Sequence, residues 1–187
     1  MKDVDNSKIA IRTEVVYVNK NDPNTVSVFL SLGRDYLKAL PHEERERFLK
    51  SILVRQEEPD RWLLLLRYEN KYVGFTHVKI DNEERIGWGF ILEFYIVPTR
   101  RKMGLGRTFF NLVADMLQAN GVKDVWLLAD SSAESFWHSL GFKSTGELDR
   151  ETGQKVMAKS LTYTTKTKYI SFAMKTSQIV DYHSEFM

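Results

Sequence analysis

The chain has 187 residues, 43% of them hydrophobic and 28% charged, the composition of one globular domain rather than of a disordered or repetitive chain. It contains no cysteine, which excludes a disulfide scaffold, thiolate metal sites, iron–sulfur clusters and a cysteine nucleophile. The 27 basic and 25 acidic side chains leave a net charge of +2, so any anion binding must come from a local cluster rather than a global field.

Residues 14–20 (EVVYVNK) read as a strand of β-branched and aromatic residues. Asp22 before Pro23 is an N-cap followed by proline at the first helical position, and the helix is expected to run to about Leu40. Pro41 opens a second helix, HEERERFLKSILVRQ, mostly solvated outside Phe48, Ile52 and Leu53. From Arg61 the period changes. Residues 62–68 and 72–80 form an antiparallel hairpin across a Glu69-Asn70-Lys71 turn, with Gly74 marking a bulge or a close backbone approach. Residues 87–97 are a further strand, apolar apart from Glu93 and stopped by Pro98.

A helix starts near Gly104. Its Leu105, Phe109, Leu112, Val113, Met116 and Leu117 fall on one face, and Asn120-Gly121 stops it. Residues 122–129 are a buried strand, residues 133–140 a short helix, and residues 142–148 and 154–161 two more strands. Residues 169–175 alternate like a last strand, followed by a tail. The order gives an α/β class with a mixed, mostly antiparallel sheet. The longest aliphatic run, residues 62–66, is flanked by Arg61 and Arg67, far short of the ~20 residues of a membrane-spanning helix. Residues 1–8 are polar and acidic with no apolar segment behind them. A cytoplasmic protein with no membrane partner is the expectation. His42, His77 and His183 lack ligand spacing, so no metal is expected.

Chemistry concentrates in residues 93–108, EFYIVPTRRKMGLGRT. A strand ends, a loop carries Arg100, Arg101, Lys102, Gly104 and Gly106, and a helix begins. Free N–H groups and the positive dipole end of that helix, with glycines that admit a ligand to the backbone, make a pyrophosphate cradle. A Walker A sequence is absent, and Phe109 at the third glycine position disfavours a dinucleotide fingerprint.

The segment resembles the acetyl-CoA signature of the GNAT N-acetyltransferase superfamily, Arg/Gln-x-x-Gly-x-Gly/Ala, which Arg101-Lys102-Met103-Gly104-Leu105-Gly106 fits. It follows a Glu-apolar-Tyr-apolar-x-Pro strand, Glu93 to Pro98. A second family pattern, Asn-x-x-Ala-x-x-Phe-Tyr-x-x-x-Gly-Phe, is matched in spacing from Asp130 through Ala133, Phe136 and Trp137 to Gly141-Phe142. The resemblance covers about residues 14–161. It implies a GNAT acyl-CoA N-acyltransferase fold over residues 1–161, its fourth and fifth strands splayed, and a C-terminal extension over 162–187.

It further implies that the pantetheine arm of acetyl-CoA lies along Phe94, Tyr95, Ile96 and Val97 as an added strand. Arg101, Lys102, Met103, Gly104, Leu105 and Gly106 would hold the pyrophosphate, with Arg107 and Thr108 in the first helical turn. Asp130, Ser135, Phe136 and Trp137 would border the pantetheine. Glu93 is the candidate base that neutralises a primary amine of a small molecule or peptide, and the N–H near Ile96 the oxyanion donor. The family's Tyr general acid is replaced by Trp137, whose indole cannot protonate a thiolate. Asp130 stands where the family often has Asn, and N-capping of the short helix is its independent explanation. Glu43, Glu44 and Glu46 would border the acceptor. With no thiol in the chain, acetyl passes directly from CoA to the amine. The competing readings are a non-catalytic acyl-CoA-binding relative, motivated by Trp137, and a nucleic-acid module using the cluster at 100–107. The cluster lacks neighbouring exposed aromatics, so no nucleic-acid partner is expected. The extension is a candidate for a homodimer contact.

Overall fold

The computed structural model describes residues 13–161. The strand and tail expected beyond residue 161 lie outside the described residues. One seven-stranded sheet runs through the molecule in the order β1-β2-β3-β4-β5-β7-β6. Its strands are β1 (Thr13–Tyr17), β2 (Arg61–Tyr68), β3 (Lys71–Ile80), β4 (Gly89–Ile96), β5 (Asp124–Ala129), β6 (Lys143–Leu148) and β7 (Lys155–Ser160). Among the described strands, only β4 and β5 pair in parallel. The helices are α1 (Pro23–Tyr36), α2 (His42–Val54), α3 (Leu105–Ala119) and α4 (Glu134–Ser139).

Four consecutive leucines in β2 explain the layering. Side chains alternate across a strand, so a run apolar at every position needs cover on both faces. Leu64 and Leu66 join Val78, Ile91, Phe109, Val113 and Leu117 under α3 and α4. Leu63 and Leu65 join Phe75, Tyr95, Phe29, Leu49 and Ile52 under α1 and α2. The apolar face read for α3 is its buried face, with Leu112 partly buried beside it. That helix closes as the Asn120-Gly121 pair foretells. Gly121 N–H donates to Gln118 O at 2.9 Å and Val122 N–H to Leu117 O at 3.1 Å, a Schellman pair of bonds. Val122 is thereby drawn into the helix exit, and β5 starts at Asp124 rather than at 122.

β1 is Thr13–Tyr17 rather than 14–20, and three further boundaries that differ from the sequence reading have a visible local cause. α1 ends at Tyr36, not Leu40, with Leu37 N–H bonded to Gly33 O at the cap. The β2–β3 turn is two residues, not three. Glu69 and Asn70 have φ of 48° and 62° and Tyr68 pairs with Lys71, the double positive φ that matches strand twist. β4 starts at Gly89, because Gly87 and Trp88 are still held in the preceding turn by bonds from Gly87 N–H to Asp81 O and Trp88 N–H to Arg85 O.

Gly74 does both things its position in a strand allows. The β2–β3 register slips between Leu66 and Arg67, leaving Val73 as the extra residue beside Gly74. A Cβ on Gly74 would also lie 2.3 Å from the Tyr95 carbonyl oxygen and 2.7 Å from Ile96 Cδ1. β3 and β4 therefore pack backbone to backbone where β4 approaches its end.

Candidate active site

The site begins as a mismatch in β4. Its pairing with β3 slips between His77 and Val78, so that His77 faces Glu93, Val78 faces Ile91, and Leu92 is left over. A one-residue slip moves every later side chain to the other face. Ile91 lies in the core under α3 and α4, and an unbroken strand would put Glu93 there too. The bulge instead turns Glu93 and Tyr95 toward α1, and Phe94 and Ile96 toward α3 and α4. The Glu93 carbonyl is met by the buried Thr76 hydroxyl at 2.6 Å.

At the same point β4 and β5 separate. Their parallel pairing covers Gly89, Phe90 and Ile91 and then stops, while β4 continues to Ile96. Val97 N–H donates to Val73 O at 2.9 Å, so by the alternation of an antiparallel ladder the N–H groups of Ile96 and Phe94 point away from β3 into the gap. The Ile96 carbonyl in that gap accepts from Arg101 Nε at 2.9 Å. The splay that the family resemblance implies is present, with an unpaired stretch of backbone along one side.

Beyond β4 the loop carries the expected basic residues. Arg101 binds the Ile96 carbonyl and places its guanidinium 5.7 Å from the Tyr95 ring centroid. Lys102 is exposed with φ of 62°. Met103 packs partly buried against the core. Gly104 begins α3 with φ of 83°, a left-handed conformation that an L side chain adopts only under strain. No side chain caps the helix, so the N–H groups of its first turn, at Leu105, Gly106, Arg107 and Thr108, face outward apart from the 3.0 Å bond from Thr108 to Gly104 O. A Cβ on Gly106 would meet the Phe136 ring at 3.0 Å. Arg107 donates to the Ser139 carbonyl at 2.9 Å and so ties α3 to the end of α4.

α4 supplies an aromatic wall. Phe94 lies 5.2 Å from Phe109, 5.9 Å from Phe136 and 5.2 Å from Trp137 between ring centroids. Trp137 also meets Phe110, Phe136 and Phe142 edge-on and is 6% exposed, so packing accounts for its side chain. Ser135 is exposed, and His138 places Nδ1 3.1 Å from the Phe142 carbonyl. Asp130 does not cap α4, whose N-cap is Ala133. Its carboxylate accepts from Ser132 N–H at 2.8 Å, in a turn one residue after β5 ends, and those Ser132 bonds hold it below the usual carboxylate range. Of the α2 acids, Glu46 is engaged by Arg34 through two 2.8 Å bonds, leaving Glu43 and Glu44 exposed.

Two residues that the sequence did not single out complete the site. Tyr36 donates to Glu93 Oε2 at 2.6 Å, and the neighbouring Asp35 accepts from the Tyr95 hydroxyl. Their only sequence signal is spacing: Phe29, Leu32, Gly33 and Tyr36 share the helical face that α1 turns to the sheet. Desolvation pushes the Glu93 carboxyl up to about 7, and the Tyr36 hydrogen bond opposes part of that rise. Burial, aided by the charges of Glu93 and Asp130, raises the Tyr36 phenol far above its ordinary range. Across the strand, desolvation and then the charges of Arg61, Arg55 and Lys79 push His77 down to about 3, so it is neutral.

A split sheet with a glycine-started helix at its mouth and a desolvated acid beside the split is the setting in which a match to one acetyltransferase family falls. The model of the acetyltransferase (GNAT) family matches residues 26–142, more than half of the chain, and the protein belongs to that family. No curated protein sequence matches it. Among solved structures it resembles PaiA N-acetyltransferase from Thermoplasma acidophilum in complex with coenzyme A, at 17% identity over 80% of this chain and 99% of that one, with a TM-score of 0.61. It also resembles an acetyltransferase from Thermus thermophilus, at 21% identity over 80% and 97% of the two chains and a TM-score of 0.64. An aminoglycoside 6'-N-acetyltransferase complexed with coenzyme A aligns at 16% identity over 79% and 96%, with a TM-score of 0.62. At these identities the likeness speaks to the fold. Among the described residues, no helix is long and apolar enough to cross a membrane.

Proposed function

We propose that this protein transfers an acetyl group from acetyl-CoA directly to a primary amine, with Glu93 as the base. The observation that carries the reading is the Leu92 bulge, which turns Glu93 toward α1 just past the end of the β4–β5 pairing, where desolvation raises its carboxyl to about 7. A base with that affinity is about half ionised at neutral pH and can take the proton of an ammonium group. The two coenzyme A complexes among the similar structures support the choice of cofactor.

The residues fit acetyl-CoA. The unpaired Phe94 backbone would take an amide-bearing arm as a strand would, leaving the Ile96 N–H for the acetyl carbonyl, and the uncapped start of α3 would take a pyrophosphate on its N–H groups. Lys102 brings charge to that loop, while Arg101 and Arg107 are already bonded to Ile96 and Ser139 and hold it in shape. Bound acetyl-CoA supplies a thioester carbonyl for the amine to attack, with the CoA thiolate as leaving group. Glu93 would remove the proton that blocks the amine, and the Ile96 N–H, which points away from β3, would donate to the carbonyl oxygen as charge develops there. A thiolate with pKa near ~8.5 leaves without a tyrosine acid, so Trp137 does not argue against turnover.

An acetylation screen over amine classes, read by mass spectrometry, tests the reading: acetylated product from one class supports it, and acetyl-CoA binding without product from any class refutes it. Gly104→Glu tests the cofactor site. A carboxylate beside the pyrophosphate is expected to raise the acetyl-CoA Kd by about 100-fold, or ~2.8 kcal/mol. The left-handed backbone adds a folding cost of only ~1–2 kcal/mol, so the variant stays folded by circular dichroism. An unchanged Kd removes the pyrophosphate assignment.

A further inference from the structure

Glu93 is not held by its own strand alone. α1 ends on Asp35 and Tyr36, and both residues reach β4: Tyr36 donates to Glu93 Oε2 at 2.6 Å, and Asp35 accepts from Tyr95. The Tyr36 ring is fixed independently, 5.6 Å from Phe75 in an edge contact and 5.3 Å from Tyr95. A phenol set by ring packing and aimed at one carboxylate oxygen selects that carboxylate's rotamer and leaves its other oxygen for a proton acceptor's work. We infer that Tyr36 is the positioning residue for Glu93, holding its carboxylate toward the acceptor amine from the end of α1. The inference rests on the proposed base role of Glu93.

The groups facing Glu93 make Tyr36 the decisive one. From β3 the register partner is His77, which carries no charge at neutral pH. From β4 itself comes Tyr95, whose phenol is already given to Asp35 of α1. Asp130, past the end of β5, brings its charge to bear on the Tyr36 phenol. The hydrogen bond from Tyr36 is thus the contact that favours the ionised carboxylate against its desolvation.

Removing a donor to the charged form raises the carboxyl's pKa, so less of it is ionised at neutral pH. In the full chain, carboxyl-carbon NMR titration reads Glu93 without any acceptor. With Tyr36→Phe, which keeps the ring packing, the Glu93 midpoint is expected to rise by about one pH unit. Turnover of the amine found by screening then falls about fivefold at pH 7 and recovers by about pH 9, with acetyl-CoA Kd unchanged. A loss of packing alone would not recover with pH. An unmoved midpoint in Tyr36→Phe, alongside an inactive Glu93→Gln, overturns the role of Tyr36 and leaves the base reading standing. A fully active Glu93→Gln overturns the base reading, and the positioning role falls with it.

Discussion

Glu93→Gln is expected to lower kcat by about 100-fold to 10,000-fold, the range for loss of a positioned general base, while the acetyl-CoA Kd stays at its wild-type value. The amide has nearly the shape of the carboxylate and can still accept from Tyr36, so the bulge and the α1 contact survive. What is lost is the proton acceptor. In the wild type, kcat/KM should fall below about pH 7 as Glu93 is protonated. In the variant that limb should vanish, leaving a low and flatter profile.

The same substitution moves stability in the opposite direction. The folded protein raises this carboxyl from 4.5 to about 7, so folding is favoured while Glu93 is neutral and that advantage is lost as pH rises through 7. Glu93→Gln should therefore melt at a higher temperature than wild type at pH 8, and the difference should close below about pH 4.5. A gain in stability with a loss of turnover is the mark of a residue kept for chemistry. Equal rates, or a variant less stable at pH 8, would contradict the assignment.

The largest structural effect is expected at Gly74. A side chain there must displace the Tyr95 carbonyl oxygen, 2.3 Å from where its Cβ would sit, and that oxygen belongs to backbone that cannot rotate away. Gly74→Val should cost ~3 kcal/mol or more, a drop in Tm of about 6–12 °C for a chain of this size. The displacement would be felt in the site as well, because Gly74 is the register partner of Ile96. Acetyl-CoA affinity should fall in whatever fraction remains folded. Wild-type melting by calorimetry would refute the close packing.

Gly74 and Glu93 differ in how much of their role is legible in the sequence. Gly74 stands out in an apolar strand, since a missing side chain there has few purposes. The cradle of Gly104 and Gly106 and the stop at Asn120-Gly121 are equally local, because each fixes backbone conformation at its own position. Glu93 is legible as the one acid in its strand. The face it occupies is not. That depends on the slip at Leu92, and a β4 apolar at all its other positions carries no alternation from which a slip can be read. Asp35 and Tyr36 are invisible for a related reason. Their partners Tyr95 and Glu93 are some 60 residues away in the chain, and a tyrosine on an apolar helical face looks like core. The end of α1 is overestimated because Leu37 and Leu40 continue its apolar spacing, while the chain turns at Leu37 after the last two helical residues have met β4.

The gap beyond Ile91 is an edge strand placed in the middle of a sheet. Outer edges are blunted because unpaired backbone invites other chains; this one is internal and is closed, on the reading proposed here, by a metabolite. Only the native fold offers that edge, so bound acetyl-CoA adds to folding stability by mass action.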